Sequence, residues 1–175
     1  MSLLNISFLN EAINERNILA PNEILNHVRK QLIGSMEERN DGMDAILIKL
    51  ENKDGGLKIE YAAANNEPVL IRDNKITALP KDKMPVGKGE KTESFKLHSI
   101  DMQKGDVLYL LTDGIADQFG GPKGKKFKFK QLEEILLANK HLPITEQKNL
   151  LEKAFNDWKG QLEQVDDILL VGIKI

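Results

Sequence analysis

The chain contains no cysteine and only three histidines, His27, His98 and His141, which lie far apart and outside any ligand motif. Disulfides, cysteine-zinc sites and thiol nucleophiles are therefore excluded, and any chemistry falls mainly to carboxylates. Two acidic clusters are placed to do it. Thr112-Asp113-Gly114 directly follows the unbroken apolar run Val107–Leu111, and Val165-Asp166-Asp167 directly precedes the apolar stretch 168–175. If those two runs are strands that pair antiparallel, the end of the first lies beside the start of the second. The carboxylates of Asp113 and Asp166 then converge at one edge of the sheet. Like charges that close repel, and a divalent cation is the usual resolution. Oxygen-only ligands favour Mg2+ or Mn2+ over zinc or copper, and phosphoester hydrolysis is chemistry such a centre performs. The same residues also read as a turn at Asp113-Gly114 and a solvated strand cap at Asp166-Asp167. Spacing alone leaves both readings open.

Other motifs fit less well. The segment Gly120-Gly121-Pro122-Lys123-Gly124-Lys125-Lys126 looks like a phosphate loop but lacks the Walker spacing, and Phe127 stands where Ser or Thr should follow. There is no G-x-G-x-x-G after a strand. Asp113 and Asp117 are too far apart for the Asp-x-Asp pair of an aspartyl-phosphate mechanism. Lys123, Lys125, Lys126, Lys128 and Lys130 alternate with Phe127 and Phe129, which reads either as a patch for a phosphorylated partner or as a solvated loop anchored by two aromatics.

The elements that must position these residues follow from hydrophobic periodicity. Leu4, Phe8, Ala12 and Ile13 recur at helical spacing, fading at Asn17. Pro21 suits the first position of a second helix, whose apolar face is Ile24, Leu25, Val28, Leu32 and Ile33 and whose C-terminal cap is Gly34. From residue 45 the period changes. Strands are expected at 45–50, at 57–61 after the turn Asp54-Gly55-Gly56, at 69–72 after Asn65-Asn66-Glu67-Pro68, and at 75–79 after Asp73-Asn74. Short successive connections of this kind predict an antiparallel meander. A Pro-, Gly- and Lys-rich loop at 80–91 leads to a strand at 95–100 and then to the central strand Val107–Leu111. Leu132, Ile135 and Leu136 mark a third helix; Leu150, Leu151, Ala154, Phe155 and Trp158 mark a fourth, closed by Gly160, before the terminal strand. The order predicts an α+β fold, helices on antiparallel sheet, with no repeat or linker.

At 175 residues the chain suits a single domain, 1–175, with its own core. Lys+Arg 25 against Asp+Glu 27 gives a net charge of −2, which argues against a general attraction to nucleic acid or to an acidic membrane. No apolar run reaches the length of a membrane span, and the amino end lacks the order of a secretory signal. The expectation is a cytoplasmic chain with no direct membrane contact, although a parent protein could be membrane-anchored.

The strings LLTDGIADQFGGPKGKKF and FNDWKGQLEQVDDILLVGIKI, taken together, resemble the bacterial SpoIIE/RsbU branch of the metal-dependent (PPM-type) serine/threonine phosphatases. DGMDAILIKL, LKIEYAAANNEPVLIR and LPKDKMPVG resemble that family's middle strands, and MSLLNISFLNEAI its first helix, so the resemblance spans the chain. It implies an α-β-β-α sandwich of antiparallel sheets between helix layers. It also implies Mg2+- or Mn2+-dependent hydrolysis of phosphoserine or phosphothreonine on a protein, through metal-activated water at a two-metal site. Asp113 matches the metal-binding Asp of the family's T-D-G motif and Asp166 its late metal-binding Asp. Asp167 takes the neighbouring position, often Asn in relatives. Asp41 and Asp44 are candidates for an accessory metal or for a turn. The partner implied is a phosphorylated regulatory protein resembling an anti-sigma antagonist.

One departure bears on activity. The family carries an earlier bridging Asp in a segment like D-x-x-G-H-G-x-P-G-A before its first helix, and this sequence contains no G-H-G. The expectation is a domain lacking its N-terminal strands, with little or no activity as it stands. The alternative is a non-catalytic phosphatase-like module that binds a phosphoprotein. Edge strands left unpaired would also allow a homodimer.

Overall fold

The computed structural model describes residues 2–35, 42–53, 55–91 and 93–175. In chain order the elements are α1 (Ser2–Asn10), a π-helical turn (Glu11–Glu15), α2 (Pro21–Ser35), β1 (Gly42–Met43), β2 (Ala45–Lys53), β3 (Gly56–Ala64), β4 (Val69–Arg72), β5 (Lys75–Ala78) and β6 (Val86–Gly87). They continue with β7 (His98–Met102), β8 (Val107–Leu111), α3 (Gly114–Asp117), β9 (Phe119–Gly120), β10 (Lys125–Lys126), α4 (Phe129–Asn139), α5 (Ile144–Lys159) and β11 (Leu170–Lys174). The helices and antiparallel strands expected from the sequence are present, and they fall into two compact units.

The first unit comprises Met1–Glu67 and Pro80–Gln103. Its sheet runs β2-β3-β7, all antiparallel. The apolar face of α2, with Leu25, Val28 and Leu32, packs on Ala62, Ala64, Val86 and Phe95. Tyr61 stacks on His98 across the β3–β7 pair, and its hydroxyl donates to Pro80 O at 3.2 Å.

The second unit comprises Pro68–Leu79 and Lys104–Ile175 and contains both acidic clusters. Its antiparallel sheet has the order β11-β8-β4-β5. β8 lies between two partners and is almost wholly buried, which explains why its sequence is apolar without alternation. Its Val107, Tyr109 and Leu111 form a core with Val69 and Ile71 of β4, Leu132 and Leu136 of α4 and Phe155 of α5. Two polar anchors hold this strand. At its start, buried Asp106 receives Arg72 Nη2 at 2.6 Å and Nε at 3.0 Å, a charge-assisted fork that ties β8 to the end of β4. At its centre, the Tyr109 hydroxyl donates to Gln147 Oε1, whose amide donates in turn to Leu142 O at 2.9 Å. β8 is thus pinned to the first turn of α5.

Four local expectations change. The predicted meander is split: β2–β3 and β4–β5 are hairpins, but β3 and β4 do not pair. The amides of the intervening turn explain it. Asn65 N–H donates to Asp82 O and Asn66 N–H back to Ala64 O, while Pro68 has no N–H to offer. Gly34 lies inside α2, which runs on to Ser35, and does not cap it. The strand expected at 95–100 begins at His98; Phe95 is buried against the α2 core with its N–H on the Asn26 side chain at 3.0 Å. Finally, the turn at Asp113-Gly114 opens a short helix, α3. Of the turn Asp54-Gly55-Gly56, Asp54 lies outside the described residues.

Burial pushes the phenols of Tyr61 and Tyr109 up from 10.0 to about 12. The folded state therefore holds them neutral where the unfolded chain would ionise them. Their contribution is fully present below about pH 10 and is lost as pH rises through about 12. Tyr109→Phe should remove part of this alkaline fall. It should also cost about 1–3 kcal/mol at neutral pH by leaving the buried Gln147 acceptor without its donor. Denaturant unfolding of both proteins across the alkaline range checks both effects.

Candidate functional site

The register of β8 and β11 brings the acidic clusters together. Leu111 pairs with Leu170, and one step beyond, Thr112 N–H donates to Leu169 O at 3.0 Å. The Thr112 hydroxyl then bridges back to the same chain: Oγ1 donates to Asp167 O at 3.2 Å and accepts Leu169 N–H at 3.1 Å. Asp113, half-buried, follows as the N-cap of α3, its carbonyl accepting Asp117 N–H at 2.9 Å. Gly114 is required by closeness. A Cβ built on it would stand 2.4 Å from Asp167 O, so any side chain here would drive the acidic loop away.

Within that loop, Asp167 N–H donates to Asp166 Oδ1 at 2.7 Å and Gln164 Nε2 donates to Asp166 O at 2.8 Å. Asp166 and Asp167 are exposed. Asp113 and the Asp166-Asp167 pair therefore sit on adjoining segments in contact at Gly114, each reachable from solvent. These donors fit a hard divalent cation. Both side chains are carboxylates, and Mg2+ is commonly held by one or two carboxylates with water completing its shell. Among the described residues no group of three or more His, Asp or Glu is arranged to hold a metal ion.

Asp44, between β1 and β2 in the first unit, accepts Asn65 Nδ2 at 2.7 Å; Asp41 lies outside the described residues. The glycine-rich segment is the β9–β10 hairpin. Its glycines serve packing: Gly121 N–H donates to Trp158 O at 2.8 Å, and a Cβ on Gly120 would overlap that same carbonyl. Of the two aromatics, Phe127 is buried edge-on to Trp158 while Phe129 is exposed, and Lys126 pairs with Asp117 at 3.0 Å. A cavity of about 540 Å3 lies between β11 and α5, lined by Tyr109, Leu151, Phe155, Ile168 and Gly172 among others. Neither Asp113 nor Asp166 lines it. Sequence reading passed over Gln118, a buried glutamine whose side chain reaches the loop ahead of Asp166. No local pattern marks it.

The family model for Stage II sporulation protein E (SpoIIE) matches residues 1–175. The chain belongs to the SpoIIE family. Its mixed helix and antiparallel-sheet fold matches PP2C-type phosphatase domains. The SiaA-PP2C domain of Pseudomonas aeruginosa is similar at 20% identity and a TM-score of 0.84, over 99% of this chain and 68% of that one. The RsbU and RsbW domains of a Mycobacterium tuberculosis protein match at 17% identity and a TM-score of 0.72, over 96% of this chain and 45% of that one. The phosphatase domain of the cell fate determinant SpoIIE from Bacillus subtilis matches at 19% identity and a TM-score of 0.53, over 98% and 73%. A crystal of that domain presoaked with Mn matches at 14% identity with the same TM-score, 0.53. No curated protein sequence matches. This SpoIIE-family chain is thus a PP2C-like phosphatase domain by family.

The Thr112 bridge makes two expectations concrete. Thr112→Ser keeps the hydroxyl and should stay near wild-type stability, whereas Thr112→Val should lose about 1–2 kcal/mol in denaturant unfolding. Gly114→Ala should cost more than Thr112→Val and should expose the Leu169 amide to hydrogen exchange, since the loop must move to admit the methyl group.

Proposed function

We propose that this chain is part of one metal-dependent serine/threonine phosphatase domain, with Asp113 and Asp166 as ligands of an Mg2+ or Mn2+ ion. The observation that carries the reading is the β8–β11 register, which sets two carboxylate-bearing strand ends side by side with Thr112 bridging them. Family membership over residues 1–175 and a manganese-soaked relative of the same fold support it. When bound, such a cation supplies Lewis acidity toward a phosphoryl oxygen and toward water. The chain's own part is to hold the carboxylates. Thr112 fixes the backbone on both sides of the contact, α3 turns Asp113 out of the β8 line, and the Asp167 amide orients one oxygen of Asp166.

The substrate class we propose is phosphoserine or phosphothreonine on a regulatory protein, as the RsbU- and SpoIIE-type relatives suggest. Two carboxylates are a sparse set for a two-metal centre, so little turnover is expected from this chain alone. That sparseness favours one second reading, a phosphatase-like module that binds a phosphoprotein without cleaving it.

Calorimetric titration with Mn2+ tests the first reading. The wild-type chain should bind, and Asp113→Asn should weaken binding by more than about a hundredfold, beyond the 10- to 100-fold usual for an outer-shell partner. Equal binding by both would remove Asp113 from the site. The second reading predicts that a phosphopeptide binds equally well in excess chelator, and loss of binding there counts against it.

A further inference from the structure

Gln118 follows α3 and is fully buried, an uncommon place for a primary amide. Its side chain is committed to backbone. Nε2 donates to Phe119 O at 3.0 Å and to Glu163 O at 2.9 Å, and Oε1 accepts Val165 N–H at 3.2 Å. Its own carbonyl accepts Phe127 N–H at 2.9 Å and Trp158 Nε1 at 3.2 Å. A buried amide that loses such partners keeps the whole desolvation penalty, so this arrangement resists sliding.

The far-side partners, Glu163 and Val165, lie immediately ahead of Asp166. The other side of that loop is held by Thr112, through Asp167 O and Leu169 N–H. Both clamps rise from the segment that carries Asp113, one residue before it and five after it. We infer that Gln118 is a positioning residue: with Thr112 it pins the loop on both sides of Asp166 and sets that carboxylate against Asp113. The inference rests on the reading that Asp113 and Asp166 share a divalent cation. Glutamine suits the position because it combines donor, acceptor and reach. Asparagine is one methylene shorter, methionine fills the volume without hydrogen bonds, and glutamate would set an oxygen against the carbonyls of Phe119 and Glu163.

The test compares wild type, Gln118→Met, Gln118→Asn and a control, Ile135→Ala, which trims the α4 core away from the loop. Two quantities are read: amide hydrogen exchange without metal, and Mn2+ affinity by calorimetry. Gln118→Met should speed exchange at Val165 and Asp167 relative to the ladder amides Leu110 and Val171. It should also weaken Mn2+ by about tenfold or more, as loss of an outer-shell partner does. Gln118→Asn should behave like Gln118→Met, and it carries the comparison if the methionine variant does not fold. Ile135→Ala should leave both loop exchange and affinity as in wild type. Faster loop exchange with Mn2+ affinity held within about twofold would overturn the positioning role. If wild type binds no Mn2+, it is the cation reading that fails. Exchange then decides the clamp alone, and unchanged protection at Val165 and Asp167 overturns it.

Discussion

A single hydroxyl, that of Thr112, joins the two parts of the second unit that carry its acidic residues. It donates to one carbonyl and accepts from one amide of the chain leading into β11, extending the β8–β11 ladder past its last regular pair. Because side chains in a strand alternate, a slip of one residue here would turn every side chain of β11 to the other face. It would also bring a different carbonyl against Gly114. The core of β8, the Arg72–Asp106 fork at its start and the Tyr109–Gln147 bond at its centre all act on the same quantity, the register of that strand.

A register so heavily determined is worth its polar burial if two like charges must be kept near one another. Carboxylates on flexible loops would separate under their own repulsion, and holding them costs free energy that the rest of the unit must offset. The loop that carries Asp166 is held by backbone contacts: the carbonyl of Asp167 against Gly114, the amide of Val165 on Gln118 and the amide of Leu169 on Thr112. Asp166 and Asp167 are themselves left exposed, and Asp113 is half-buried. This is what a cation site in the SpoIIE family would require of its scaffold.

Much of this was legible in the sequence. α2, α5 and β8 follow directly from periodicity, Pro21 and Gly160, and the convergence of strand ends beside Asp113 and Asp166 needed only the assumption that two apolar runs pair. The split of the meander was not legible, because it turns on where Asn65 and Asn66 send their amides, which composition does not encode. Phe95 looked like a strand residue because burial by packing on α2 and burial within a sheet leave the same apolar letter. Gln118 and the close approach at Gly114 were hidden for another reason. Their partners on the acidic loop, Glu163 and Val165 for Gln118 and Asp167 for Gly114, are far off in sequence, and nothing local distinguishes a clamped glutamine or a crowded glycine from a turn.

The central claim is that Asp113 and Asp166 act on one ion as a unit. A double-mutant cycle on Mn2+ affinity, built from Asp113→Asn, Asp166→Asn and the pair, addresses it most directly. If the carboxylates share the ion, either single change should remove most of the binding and the double should be scarcely worse, a coupling of about 1 kcal/mol or more. Losses that add to within about 0.5 kcal/mol would mean that the two residues act independently, and would contradict the account.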